Sequence, residues 1–352
     1  MIASRRTQLR RSSLLMGAML AVASLLLTAC GGSAAGTSGK GVLIGVAFPS
    51  QAQERVGFET RILKEEAEKN GDKVIFNFAQ ENMATQTSQV ESMLQRGIKV
   101  LVLMPVEAEA AAPLVRKAEG LGVKVITYDR RVVGAPVSYH IERNNYENGK
   151  LHVESALAAK PSGKYAIIRG DKATIAENDM SKAYDKLLLH NPKIRVVYDK
   201  NIVGWDSAAA QKAAEAALQK DPDIVAFVVM WDNGAQAVAQ AIKSAGKKPG
   251  SVWVTGTDAS KPSLTFIAQG WQGETVWTPV DEMARKAADL AHDLATGKKL
   301  PKPDAVVDGV KTDYVRLTSI TKGNLCDFVN RVAPKGWVTE QEVFPSGRGN
   351  CG

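Results

Sequence analysis

The stretch GIKVLVLMPVEAEAAAPLVRKAEGLGVKVITYDR, residues 97–130, holds the pattern on which the fold turns. A β-branched, apolar run (Val100–Met104) gives way to a helical period (Ala108–Leu121). A second such run (Val123–Tyr128) then ends in Asp129-Arg130-Arg131. Strand, helix and strand within so short a span read as a parallel pair joined by a crossover helix. The same two textures alternate outward in both directions. Strand-like runs fall at Val42–Phe48, Lys73–Phe78, Tyr165–Arg169, Val196–Tyr198, Ile224–Met230 and Val252–Thr255. Helical periods lie at Arg55–Asn70, Thr85–Arg96, Gly149–Ala159, Ser181–Leu189, Ala208–Gln219, Ala235–Ala245, Ser263–Gln269 and Asp281–Thr296. Ordered alternation of this kind predicts parallel sheets covered by helices on both faces. One closed barrel would also accommodate the count. The polar stretches near 129–146, 256–262 and 276–280, however, read as crossings between two sheets. The expectation is an α/β chain of two doubly wound lobes: 41–143 with 280–304, and 144–279 with 305–352.

The chain has 352 residues, is 45% hydrophobic and carries a formal net charge of +8. That composition suits large buried cores and excludes disordered, collagenous and multi-span membrane classes. The charge is less informative than it looks. Residues 1–29 contain Arg5, Arg6, Arg10 and Arg11, no acid, a short apolar run, and then Leu27-Thr28-Ala29-Cys30. A basic start, an apolar centre and small residues before the cleavage point form an export signal. The Leu-Thr-Ala-Cys end resembles the bacterial lipobox, which assigns Cys30 as the lipidated first residue of the mature chain. Ser4–Arg10 also resembles a twin-arginine motif, although Gln8 stands at the usual aromatic position. Loss of the four arginines reduces the charge from +8 to +4, with no dense basic run, which argues against a nucleic-acid partner. Residues 30–40, rich in Gly and Ser, read as a flexible tether. In an exported protein the remaining cysteines, Cys326 and Cys351, are expected to be disulfide-bonded.

In open parallel sheets, ligands bind beyond the carboxyl ends of the strands, so the residues just past each strand carry the functional signal. Glu54-Arg55 closes the first βα loop. Asp129-Arg130 comes after the fourth run, and Asn145 comes after Ile141. Farther along come Asn178, Gly204-Trp205, Trp231-Asp232-Asn233 and Gly256-Thr257-Asp258. Carboxylate, amide and guanidinium groups pair in two-pronged fashion with hydroxyls, each of which is both donor and acceptor. An aromatic face covers the C–H side of a sugar ring. Helix capping explains a single Asp or Asn in such a place equally well; their recurrence with Trp205 favours a polyhydroxylated ligand.

Several of these segments resemble the bacterial D-xylose-binding proteins, of the type I periplasmic pentose/hexose-binding group that feeds ABC sugar importers. The resemblance rests on Ile44–Phe48, Gln53-Glu54-Arg55, Thr85–Leu94, Gly97–Val102, Ile126–Arg130, Gly256–Ala259 and Leu317–Asn324. It runs from about Val42 to Val343. It implies two α/β lobes on a three-segment hinge closing around one monosaccharide, with Arg55, Asp129, Arg130, Asn145 and Asp258 on the sugar hydroxyls and Trp205 on the ring. Val56, Trp231 and Thr278 depart from the family pattern, which usually has Trp, Asn and Lys there, so the ligand is left open among xylose, another pentose, a hexose and a sugar alcohol. The resemblance also implies ABC permease subunits as partners; a monomer with no cofactor or metal is expected, and the lipobox places it in the cell envelope, lipid-anchored to the outer face of the cytoplasmic membrane or in the periplasm. An enzyme is the first rival, but His140, His152, His190 and His292 are scattered and no hydrolase or nucleotide-binding spacing occurs. A sugar-responsive regulator would need a DNA-binding amino terminus where the export signal stands. A quorum signal or nucleoside on the same scaffold is the third.

Overall fold

The computed structural model describes residues 41–51, 54–345 and 351. The export signal, the tether and Cys30 lie outside the described residues. Two sheets organise the rest. The first has seven strands: β1 (Leu43–Phe48), β2 (Lys73–Phe78), β3 (Val100–Leu103), β4 (Lys124–Tyr128), β5 (Tyr139–Arg143), β11 (Ala305–Val307) and β12 (Val310–Val315). Their spatial order is β11-β12-β5-β4-β3-β1-β2, parallel throughout except for the β11–β12 hairpin. The second sheet places β6 (Gly163–Arg169) between β7 (Ile194–Asn201) and β8 (Ile224–Val229), with β9 (Trp253–Val254) beyond β8. A single bridge, Thr257 to Val276, then leads to the antiparallel pair β10 (Glu274–Trp277) and β13 (Thr318–Thr321).

The strands at the centre of each sheet are apolar on both faces because helices cover both. All four residues of β3 are buried, as are the last five of β1 and of β8's six all but Val225. In the first lobe, α1 (Glu54–Lys69) lies beside α9 (Val280–Thr296), whose Met283, Ala284, Ala287, Ala288 and Ala291 are fully buried. That row of small side chains allows close helix approach. α2 (Met83–Gln95) and α3 (Ala112–Gly120) cover the other face. In the second lobe the sheet is flanked by α4 (Asn145–Ala159), α5 (Ile175–Leu187), α6 (Ser207–Lys220) and α7 (Asp232–Ser244), with α8 (Lys261–Gln269) after β9. Several polar residues at strand ends serve as helix caps: Asn144 Oδ1 accepts from Glu147 N, Thr174 Oγ1 from Glu177 N, and Asp206 Oδ1 from Ala209 N.

The chain is thus an α/β protein of two doubly wound lobes joined by three connecting segments, with two corrections to the expected boundaries. Residues 256–262 are no crossing; they form a loop within the second lobe. The third crossing lies between Val315 and Thr318, because β11 and β12 extend the first sheet beside β5. Residues 305–315 therefore belong to the first lobe, not the second. An antiparallel edge hairpin leaves no local sign of which sheet it will join. The other crossings fall between Arg143 and Asn145 and between Trp277 and Val280.

After β13 the chain turns back across the lobes. Leu325 and Phe328 are buried, and Cys326 is bonded to Cys351, with Cα atoms 5.2 Å apart. Trp337 is almost fully enclosed. Its ring stands edge-on to Phe58 of α1 at 5.3 Å and to Trp277 at 4.8 Å, and its Nε1 donates to Ala259 O at 2.9 Å.

Candidate functional site

The carboxyl ends of the strands in both sheets border a cleft with about 570 Å³ of space, its mouth included. Arg55, in the first turn of α1, lies at its base. Its Nη2 donates to Asp129 Oδ2 at 2.5 Å and its Nη1 to Glu59 Oε1 at 3.3 Å. Glu59, one helical turn on and fully buried, also accepts from Tyr128 OH at 3.0 Å. Burial, only partly offset by Arg55, pushes the Glu59 carboxyl up to about 7. Asp129 goes the other way. Burial opposes its ionisation, but Arg55, Arg143 and Arg130 together hold it well below the ordinary carboxylate range. Arg130 donates to Pro105 O at 3.3 Å and lies 3.7 Å from Glu81.

The second lobe contributes Trp205, Trp231 and Asp258. Gly204, at φ 65°, makes the left-handed turn that aims Trp205, whose ring lies against the backbone of Gly170. Asp258 lies just after Gly256, where a Cβ would come within 2.3 Å of Asp232 Oδ1. Asp129, Trp205 and Asp258 all have positive φ (61°, 55° and 107°), and such strain in non-glycine residues collects at functional sites. Two buried polar atoms of cleft residues, Asp129 Oδ1 and Trp231 Nε1, have no hydrogen-bond partner, although Asp129 Oδ1 lies 3.6 Å from Arg143. Buried polar groups are normally satisfied, so both are suited to meet a hydroxyl.

Of the residues singled out in the sequence, Arg55, Asp129, Arg130, Trp205 and Asp258 line the cleft. Asn145 lines an adjoining recess that shares Asp129 and Arg130. Three are placed differently. Asp232 is buried behind the wall, where its carboxylate accepts from Ser260 N, Ser260 Oγ and Thr275 Oγ1 and so shapes the Asp258 loop. Asn178 is exposed and donates to Lys172 O. Asn233 is exposed on α7, outside the cleft lining. The side chain of Glu54 lies outside what is described. Neither exposed amide lines the cleft, because Thr174 and Trp231, not they, hold the helix-entry positions that face it.

The cleft also includes Arg143, Asn148 and Met180, which the sequence reading did not assign. Arg143 Nη1 donates to Asp258 Oδ1 at 3.0 Å and to Thr278 Oγ1 at 3.2 Å. Asn148 Nδ2 donates to Thr257 Oγ1 at 3.2 Å, and His152 Nε2 lies 2.9 Å from Gly256 O beneath it. Full burial depresses the His152 imidazole to about 3, which keeps it neutral. The signal for Arg143 was its place at the end of a strand; the neighbouring Asn145 drew the assignment instead. Among the described residues no group of three or more His, Cys, Asp or Glu is arranged to hold a metal ion. No described helix is long and apolar enough to cross a membrane.

Comparison with known proteins agrees with this architecture. Residues 44–299 match the family model described as a periplasmic binding protein domain. The chain is 31% identical to the D-xylose-binding periplasmic protein of Escherichia coli K12 over 325 residues, covering 91% of this chain and 96% of that one. It is 25% identical to the xylitol-binding protein of Mycolicibacterium smegmatis, covering 91% and 87%. Among solved structures, a Clostridium phytofermentans ABC transporter solute-binding protein with bound β-D-glucose superposes with a TM-score of 0.77 at 21% identity, covering 86% and 99%.

Proposed function

The chain belongs to the periplasmic binding protein family, and from that premise we propose that it captures a monosaccharide or sugar alcohol between its lobes for an ABC importer. The observation that carries this is the cleft itself. Three guanidinium groups and the carboxylates of Asp129 and Asp258 surround a space walled by Trp205 and Trp231. Paired carboxylate and guanidinium groups suit vicinal hydroxyls, and the indoles suit a ring's C–H face. Relatives named for xylose and xylitol support the sugar or polyol class.

A ligand touching Arg55, Asp129 and Arg130 on one lobe and Trp205 and Asp258 on the other stabilises whichever arrangement brings them together. No step of catalysis is assigned: the protein binds and releases. In this reading it is exported, retained at the outer face of the cytoplasmic membrane by lipid on Cys30, and presents its loaded form to the permease as a monomer.

A thermal-shift screen of residues 31–352 against D-xylose, xylitol, D-ribose, D-glucose and myo-inositol tests the ligand class. A tight ligand raises the melting midpoint by mass action. No response to any sugar or polyol, with a response to a nucleoside, would overturn it. Recovery of Cys30→Ser in the soluble rather than the membrane fraction tests the anchor.

A further inference from the structure

Arg143 stands at the boundary between the lobes. It is the last residue of β5 in the first lobe, at the first crossing between the lobes. Its guanidinium meets groups on both sides. Nη2 lies 3.6 Å from Asp129 Oδ1 of its own lobe, and Nη1 donates to Asp258 Oδ1 of the other. Nη1 also donates to Thr278 Oγ1, and Thr278 lies in the second crossing. Nε completes the set by donating to Asn145 Oδ1, just beyond the first crossing, at 3.3 Å. We propose that Arg143 is a positioning residue that latches the two lobes at the base of the cleft and fixes the separation of Asp129 and Asp258.

A planar guanidinium has donors in fixed directions, so one residue that donates to Asp258 and Thr278 while lying in ion-pair range of Asp129 ties their relative places. Its side chain is only 13% exposed, which limits competition from water. Asp258 is otherwise held through its backbone, by donation from its N–H to Val276 O. Rotation about the crossings would move Asp258 away from Asp129 and so strain the contacts of Arg143. Thr278 is fully buried, so its hydroxyl has little freedom to follow.

The latch is tested without any ligand by measuring the distance between spin labels on cysteines introduced at the exposed Leu121 of the first lobe and Leu189 of the second. Arg143→Leu should broaden that distribution toward longer separations. Arg143→Lys, which retains the charge but not the fork, should fall between the two, and Thr278→Val should move it less than Arg143→Leu. Adding Asp258→Asn to Arg143→Leu should produce no further change, because their contact is already gone. Superimposable distributions for wild type and Arg143→Leu would overturn the proposal, provided circular dichroism shows both folded. Should Arg143→Leu fail to fold, the Arg143→Lys and Thr278→Val pair carries the test by itself. The affinity consequence rests on the sugar-binding reading. For whichever of the five screened compounds wild type binds, Arg143→Leu should weaken binding at least tenfold. If wild type binds none while Arg143→Leu still opens the lobes, the sugar reading fails and the latch stands.

Discussion

The ring of Trp205 meets that of Trp231 edge-on, with centroids 5.4 Å apart and planes at 90°. One indole comes after β7 and the other after β8, so two strand ends of the same sheet build a single aromatic corner on the second lobe. Trp205 is half-buried and held by Gly170, while Trp231 is nearly enclosed against Gly234. The corner therefore presents a preset surface that need not be ordered when a ligand arrives.

Trp205→Ala should weaken binding of the cognate sugar by about 2 kcal/mol, roughly thirtyfold in Kd. Isothermal titration calorimetry measures this, and unchanged affinity would remove Trp205 from the site. Trp231 is more embedded, so its replacement should lower the melting temperature as well.

The strands with uniform apolar runs were legible, and so were the helices with a clear period. What escaped was polar or relational. Tyr139–Arg143 carries His140, Glu142 and Arg143, yet it is a buried strand, because Arg131 pairs with Glu142 and Thr127 Oγ1 meets His140 Nδ1. Glu274 within β10 is fully buried too, with Ser319 Oγ donating to it. Helix α5 begins six residues earlier than its apolar period suggests, since the Thr174 cap starts it. At the cleft, residue types announced Asp129 and Asp258. Nothing in the local sequence announced their positive φ or the reach of Arg143 from the opposite lobe.

The buried acids make stability depend on pH in a direction that can be stated. Glu59 and Asp232 are both raised to about 7, each by burial first, with Asp258 adding to Asp232. A raised carboxyl binds its proton more tightly when folded, so these groups lose stabilising influence as pH rises from about 4.5 to 7. His152, depressed to about 3, acts oppositely, because the unfolded chain takes up its proton below about 6.5. Asp129 is lowered, so its contribution is constant across this window and is lost only in stronger acid. Relative to wild type, Glu59→Gln should therefore gain stability as pH rises from 5 to 7.5. Parallel thermal melts of the two proteins would refute this.

Cys326 and Cys351 close a 25-residue separation. In the chain-entropy model their bond adds about 3 kcal/mol. A Cys326→Ser/Cys351→Ser double variant should melt several degrees lower, and wild type in strong reductant should match it. Equal melting curves under oxidising and reducing conditions would contradict the pairing.

Trp337→Ala should cost about 3–5 kcal/mol, as for other large buried aromatics, and Trp337→Phe distinctly less. Chemical denaturation checks both. Since Nε1 of Trp337 holds Ala259 O beside Asp258, the Ala variant should also bind sugar more weakly, whereas a purely structural role would leave the affinity of the folded fraction unchanged.

The lodging of Trp337 between Phe58 and Trp277 has a consequence for biogenesis. Its neighbours come from α1, near the start of the described chain, and from the second crossing. Contacts so distant in sequence form late and slowly. If the chain is exported unfolded and amino-terminus first, Trp337 is delivered only after both lobes have emerged. The loop bearing Asp258 would thus lack its support throughout translocation, and the protein would begin to hold sugar only once the passage is complete.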